Sequence, residues 1–367
     1  MSKINEILNN FNFKGELVSC EEFGSGHINT TFLAHYKDED KDYQYVVQKI
    51  NDNVFKNVDA LMSNVFAVTK FLRNKIKDNG GDKNRETLNY IKTRDGQHYF
   101  KSKDNEYYRA YRFIDNSKAY DNVESAEVFG KSGTAFGKFQ KYLADFPAST
   151  LHEIIPNFHN TAWRFENEFL LAVESDCANR ASECKDEIMF VMDRRSDCFK
   201  IIDLIESKKV PIRVTHNDTK LNNVLFDNDS DDAICVIDLD TVMPGSALYD
   251  FGDSIRFGAN TCAEDEKDTD KVKIDLDYFK SYATGFLSEA GESFTDAETD
   301  NLAFSAKLMT FECGMRFLTD YLNGDVYFKT GYPEHNLVRA RNQFALVRDM
   351  EKKMDEMENI IKEIAGK

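Results

Sequence analysis

The residues 214–226 read Val-Thr-His-Asn-Asp-Thr-Lys-Leu-Asn-Asn-Val-Leu-Phe, and Val236-Ile237-Asp238-Leu239-Asp240 follows shortly after. Asp218 and Asn223 are five positions apart, and Asp238 lies fifteen further on. A carboxylate such as Asp218 can accept a proton from a hydroxyl and hold its oxygen in place. The amide oxygen of Asn223 and the carboxylate of Asp238 are hard ligands of the kind Mg²⁺ takes. Asp240 adds a second carboxylate two positions on. His216 reads as a loop brace hydrogen-bonded to backbone rather than as a base.

Such a set must be held by rigid elements on either side. Two apolar β-like runs, 224–226 and 233–237, supply them within an island that is otherwise rich in Asp and Asn. Upstream, residues 16–112 read mainly as short strands: 16–22, 30–36 and 43–50, with a charged turn at 37–42, alternate as antiparallel hairpins. A helix is expected over 58–77, where Leu61, Val65, Val68 and Leu72 share a face, ending before Gly80-Gly81. Further strands are expected at 88–92, 97–101 and 106–113. From 123 onward the pattern is helical, with helices expected over 163–173, 183–205, 275–287, 297–322 and 336–364.

Composition narrows the functional classes. The 367 residues carry 47 Lys and Arg against 64 Asp and Glu, a net charge of −17, which argues against a general nucleic-acid binder. A hydrophobic share of 41% is enough for a sizeable core. No apolar run reaches membrane-span length, so no membrane is expected as a partner, and the N-terminal segment lacks the apolar stretch of a signal peptide. The seven cysteines are scattered without a Cys-x-x-Cys pair, and the cytoplasm is the expected compartment. Gly130-Lys131-Ser132 looks like the end of a Walker A loop, but Ser125 stands where the first glycine is needed, and helical periodicity runs through it.

The His-x-Asp-x-x-x-x-Asn loop followed by Ile-Asp-Leu-Asp resembles the catalytic and metal loops of the protein-kinase-like superfamily. Within it the chain resembles the aminoglycoside phosphotransferase and choline kinase family, and more closely the N-acetylhexosamine 1-kinases. The carrying segments are His216–Phe226, Val236–Gly245, Tyr249-Asp250-Phe251-Gly252-Asp253, Arg316–Leu322, Gly324-Asp325 and Tyr327-Phe328, together with Gly24–Phe32 and Gln48-Lys49-Ile50-Asn51. The resemblance spans residues from about 15 to 345.

It implies an α+β, two-lobed protein-kinase-like fold: a small antiparallel β-rich nucleotide-binding lobe, 1–114, and a larger, mostly helical catalytic and acceptor-binding lobe, 115–367. It implies transfer of the γ-phosphate of ATP, as co-substrate with Mg²⁺, to the anomeric hydroxyl of N-acetylglucosamine or N-acetylgalactosamine. Asp218 would be the base and would also touch the acceptor. Asn223 and Asp238 would hold Mg²⁺, with Asp240 in a second-shell or second-metal role, and Asp250 would brace the loop. Gly24, Ser25 and Gly26 would approach the phosphates, with Lys49 as the phosphate-binding cation and backbone groups of Phe113 and Asp115 as the adenine contacts. His27, Phe257, Arg316 and Tyr327 would line the sugar site. Arg316 could equally pair with Asp320 one helical turn on. The 58–77 helix lacks the glutamate that pairs with the lysine elsewhere in the superfamily. The same loop serves other acceptors, such as an aminoglycoside, choline, homoserine or another hexose, and a nucleotide-binding pseudokinase scaffold is a further alternative.

Overall fold

The computed structural model describes residues 3–24 and 29–367; Ser25, Gly26 and His27 of the expected phosphate turn lie outside the described residues. A short helix α1 (Lys3–Leu8) precedes three antiparallel strands, β1 (Glu16–Glu22), β2 (Thr30–Asp38) and β3 (Lys41–Ile50). Helix α2 (Val58–Asp78) starts where the Asn57 side chain accepts from the Ala60 N–H, and Gly80 follows its end with φ of 78°. The next two expected strands shrink to β4 (Tyr90–Ile91) and β5 (Phe100–Lys101). Thr93, Asp95 and Gln97 close a turn between them through side-chain and backbone hydrogen bonds, which shortens both. β6 (Tyr107–Arg112) completes the sheet, in the order β1-β2-β3-β6-β4 with β5 also on β6.

β7 (Ser117–Lys118) is followed by α3 (Ala126–Leu143), capped by Ser125. The expected 163–173 helix is α4 (Thr161–Arg164) and α5 (Leu170–Ser175), joined by a π turn at Phe165–Phe169. The expected 183–205 helix divides into α6 (Lys185–Asp193) and α7 (Asp197–Glu206), because the polar Arg194-Arg195-Ser196 run interrupts the apolar face. Strands β8 (Arg213–Thr215), β9 (Val224–Asp227) and β10 (Ala233–Val236) carry the island. The helices α8 (Ala247–Gly258), α9 (Leu276–Ala290), α10 (Asp296–Asp300), α11 (Leu302–Leu322), α12 (His335–Lys352) and α13 (Met354–Ala365) complete the chain.

The chain forms two compact units. One holds residues 1–118, 145–155 and 225–243; the other holds 119–144, 156–224 and 244–367. A single cut at 114 would place 145–155 and 225–243 with the helices. Instead Asn64 of α2 binds the backbone of both, donating to the His152 and Val242 carbonyls and accepting from the His152 N–H, while β7 pairs with β9. Asp238 and Asp240 therefore belong to the sheet-bearing unit, and Asp218 and Asn223 to the helical one.

In the first unit, Ile7, Leu8 and Phe11 cover one sheet face and pack with Ala34, Tyr45, Val47 and Tyr108. Residues alternate across a strand, so Gln48 and Arg109 lie on the other face. In the helical unit, Gly130, Gly133 and Gly137 sit in mid-α3 against α9. A Cβ at Gly133 would lie 2.4 Å from the Tyr282 carbonyl oxygen, and one at Gly137 would lie 2.3 Å from that of Phe286. The Gly-Lys-Ser sequence is thus part of a helix packed by its glycines, not a phosphate loop. Among the described residues no helix is long and apolar enough to cross a membrane.

Candidate active site

The catalytic loop joins β8 to a 3₁₀ turn at Leu221–Asn223, and its backbone is fixed from behind by α8. Asp250, one turn into that helix and 1% exposed, accepts from the N–H groups of His216 (2.9 Å) and Asn217 (2.8 Å) and from Gln140 Nε2 (2.9 Å). Burial pushes its carboxyl above the usual carboxylate range, against the pull of His216 and these donors. Asp253, three residues on, accepts from the Thr219 N–H and pairs with Arg256. Burial opposes its charge, but Arg256 and Lys220 hold it below the ordinary range. Thr219 also donates to the Asp250 carbonyl and its own carbonyl accepts from Ser254, so a buried network holds the loop at four consecutive positions. His216 braces it as expected: its Nδ1 accepts from the Asp218 N–H at 3.3 Å.

Asp218 itself is partly open. One oxygen accepts from Asn223 Nδ2 at 3.1 Å and the other pairs with Lys220 Nζ at 2.9 Å. Asn223 Nδ2 also donates to the Asp218 carbonyl at 2.7 Å, and its Oδ1, a hard oxygen, takes no hydrogen bond among the described residues. Lys220 was not singled out from the sequence, although it stands two residues after Asp218 in the same motif. Burial works against its charge, yet Asp218 and their hydrogen bond raise its pKa net. An ammonium beside a carboxylate can meet a negatively charged group brought next to it.

A second buried pair supports the loop from its other side. His159 bonds Glu312 through Nδ1 at 2.8 Å and the Asn217 carbonyl through Nε2 at 3.3 Å. Burial opposes ionisation of Glu312, but His159 with Arg164 and Arg316 keeps its pKa low. Next to this pair is a cavity of about 670 Å³, lined by Arg164, Leu171, Arg316, Thr319, Tyr327 and Phe328 among others. The structure thus brings together two of the expected sugar contacts, Arg316 and Tyr327; Phe257, half-buried on α8, does not line the cavity. The Arg316 guanidinium lies 5.5 Å from the Phe158 ring, 5.8 Å from Tyr327 and 5.5 Å from Phe328, with no carboxylate in ion-pair range among the described residues. The alternative Arg316–Asp320 pair does not form. Asp320 instead accepts from the N–H groups of Val326, Tyr327 and Phe328 and from Asn336, folding the segment that carries Tyr327.

In the sheet-bearing unit, Asp238 lies two residues past β10 in the left-handed region (φ 57°, ψ 62°) and is exposed. Asp240, 3% exposed, is committed within the protein and not open to a metal: one oxygen pairs with Arg109 and the other accepts from Asn29 Nδ2. Lys49 is likewise displaced from its expected role. It pairs with Glu106 at 2.7 Å on the α1-covered face beside Tyr108, opposite to Asp240, because Gln48 and not Lys49 has the inward register. Gly24 follows β1 with φ of 80°. At the strand exit the Phe113 N–H donates to the Gln44 carbonyl, and the Asp115 carbonyl accepts from Arg85. The Phe113 carbonyl and Asp115 N–H carry no hydrogen bond among the described residues, an acceptor and a donor that suit an adenine edge.

An antiparallel sheet unit, a helix-rich unit and an Asp-x-Lys-x-x-Asn loop followed by a hairpin carboxylate define a protein-kinase-like phosphotransferase. The Phosphotransferase enzyme family profile matches residues 19–272, more than half of the chain, and the chain belongs to that family. Solved structures share the fold at low identity. A choline kinase from Cryptosporidium parvum is 15% identical with a TM-score of 0.56, over 95% of this chain and 93% of that one. An aminoglycoside phosphotransferase from Alicyclobacillus acidocaldarius is 12% identical with a TM-score of 0.56, over 99% and 96%. An ethanolamine kinase from Plasmodium vivax is 15% identical with a TM-score of 0.54, over 88% and 80%.

Proposed function

We propose that the protein is an ATP-dependent small-molecule kinase that phosphorylates the anomeric hydroxyl of an N-acetylhexosamine. Asp218 accepts the proton of the attacking hydroxyl and holds its oxygen in line. Lys220 stabilises charge on the phosphoryl group in transit. Asn223 Oδ1 and the Asp238 carboxylate would each be a hard oxygen ligand for Mg²⁺, which ordinarily takes one or two protein oxygens and completes its shell with water and phosphates. When bound, it neutralises charge on the β- and γ-phosphates. Solved relatives of this fold include a spectinomycin phosphotransferase in complex with ADP, which supports ATP as the co-substrate.

The observation that carries the acceptor reading is Arg316. A quaternary ammonium is recognised by a cage of aromatic faces. Here Phe158, Tyr327 and Phe328 form such a group of faces, and the protein's own guanidinium already lies against them. A cationic acceptor would meet a like charge there. A neutral sugar would instead stack on the exposed Tyr327 ring and accept hydrogen bonds from Arg316. Its acetyl group would suit the largely apolar cavity. The rival, a cationic alcohol or aminoglycoside, draws support from the net charge of −17, which would attract it at long range.

An acceptor panel with ADP release as the readout separates the two. N-acetylglucosamine or N-acetylgalactosamine is expected to give turnover, with choline, ethanolamine and aminoglycosides inactive. Arg316→Ala is expected to raise the sugar KM by about tenfold or more, corresponding to the loss of a charged hydrogen bond of about 1.5–3 kcal/mol. Turnover with a cationic acceptor alone would replace this reading by the rival.

A further inference from the structure

Arg109 on β6 is 1% exposed, and a guanidinium so deeply buried must be fully partnered. Its Nη1 donates to Asp240 Oδ1, and its Nε and Nη2 both donate to Gln48 Oε1, at 3.0 and 2.8 Å. The ring of Tyr90 lies 5.8 Å from its guanidinium carbon. Gln48 faces Arg109 across the β3–β6 ladder and Thr31 across the β2–β3 ladder, and its Nε2 donates to Thr31 Oγ1 at 3.2 Å. A polar row therefore crosses three strands and ends on a carboxylate two residues beyond Asp238.

That carboxylate also reaches the start of β2. Asn29 donates to Asp240 Oδ2 at 2.7 Å and accepts from the Asn51 N–H at 3.0 Å. Two residues past Asp240, the Val242 carbonyl accepts from Asn64 in the buried face of α2. The segment that carries Asp238 is thus tied to the sheet by Arg109, to the residue just before β2 by Asn29 and to α2 by Asn64. These ties flank Asp238, which sits in the left-handed region that aspartate visits less often than extended backbone.

We propose that Arg109 is a positioning residue for the metal carboxylate: its buried pair with Asp240, extended by Asn29, fixes Asp238 for a Mg²⁺–nucleotide complex and does the work of the lysine–glutamate pair that this chain lacks. The proposal rests on Asp238 being a Mg²⁺ ligand. It explains why the inward β3 position can be Gln48, which serves as an acceptor for Arg109, and why α2 carries Asn64 rather than an acid. At 1% exposure, and with Nε, Nη1 and Nη2 each donating inside the unit, Arg109 is placed to position Asp240 rather than to reach a phosphate from solvent.

The test is ADP affinity by calorimetry, with and without Mg²⁺, and it needs no acceptor sugar. In the wild type, Mg²⁺ is expected to tighten ADP binding. The double variant Arg109→Met with Asp240→Leu removes both buried charges and so avoids leaving one unpaired. It is expected to unfold cooperatively while losing about 10–100-fold of the Mg²⁺-dependent tightening, with metal-free ADP affinity little changed. Arg109→Lys keeps a charge but not the fork, and Asn29→Ala removes only the bridge; both should lose part of the tightening in the same direction. A merely structural role would lower stability and leave the Mg²⁺ ratio alone. Wild-type tightening in a folded double variant, or in Arg109→Lys and Asn29→Ala should the double variant fail to fold, overturns the assignment of Arg109. Absence of Mg²⁺ dependence in the wild type overturns the reading of Asp238 and this proposal with it.

Discussion

Asp218→Asn is expected to lower acceptor-dependent turnover by about 10²–10⁴-fold, the usual contribution of a positioned general base. The substitution is nearly isosteric. An amide can still accept from Lys220 or Asn223, so the loop geometry seen at 2.9 and 3.1 Å can persist, but it cannot take up a proton at neutral pH. The loss should therefore fall on kcat, with ADP affinity and the unfolding midpoint little changed. Steady-state kinetics beside an ADP titration checks this, and near-normal turnover would remove Asp218 from the role of base.

Asp250→Ala is expected to be the most destabilising single change in the loop. It strands three buried donors, the N–H groups of His216 and Asn217 and the Gln140 amide, which approach the carboxylate at 2.8–2.9 Å. Each unsatisfied buried donor costs about 1–3 kcal/mol, so a loss of about 3 kcal/mol or more is expected in urea unfolding at unchanged m. The Asp250 carboxylate is bonded to Gln140 and the loop backbone, not to Asp218, Asn223 or Asp238, so its effect on turnover would arise through the loop it holds. A change within about 0.5 kcal/mol, ordinary for a surface position, would show that α8 does not support the loop in this way.

Much of this was legible in the sequence. The spacing of Asp218, Asn223 and Asp238 and the strands on either side follow from local pattern, because turn chemistry and alternation are local properties; the bracing role of Asp250 came from the resemblance, its partners His216, Asn217 and Gln140 lying 34, 33 and 110 residues away. What was not legible depends on which face a strand presents. Alternation says that Gln48 and Lys49 face opposite ways, but not which way is inward, and the resemblance placed the strand's lysine at the site. The register of β3 on β6 reverses that choice and brings in Arg109, one of two arginines in a Tyr-Tyr-Arg-Ala-Tyr-Arg run that nothing local distinguishes. Asp240 was read as an additional metal carboxylate for the same reason: its partners, Arg109 and Asn29, are 131 and 211 residues away. The ambiguity between Arg316 pairing with Asp320 and facing a ligand was also tertiary, and it is resolved by the Val326–Phe328 backbone taking the Asp320 oxygens. Lys220 is different. It sat inside the motif and could have been found by asking what else that loop places beside its base.

In the proposed reaction the γ-phosphate of ATP passes to the anomeric oxygen of an N-acetylhexosamine. Phosphorus-31 NMR of the product formed from N-acetylglucosamine and Mg²⁺-ATP tests it most directly, because the coupling to sugar protons identifies the phosphorylated carbon. The expected spectrum shows ADP and one phosphomonoester resonance split by the anomeric proton alone. A phosphomonoester coupled to the C6 methylene protons, or ADP formed only with a cationic acceptor, would contradict the account.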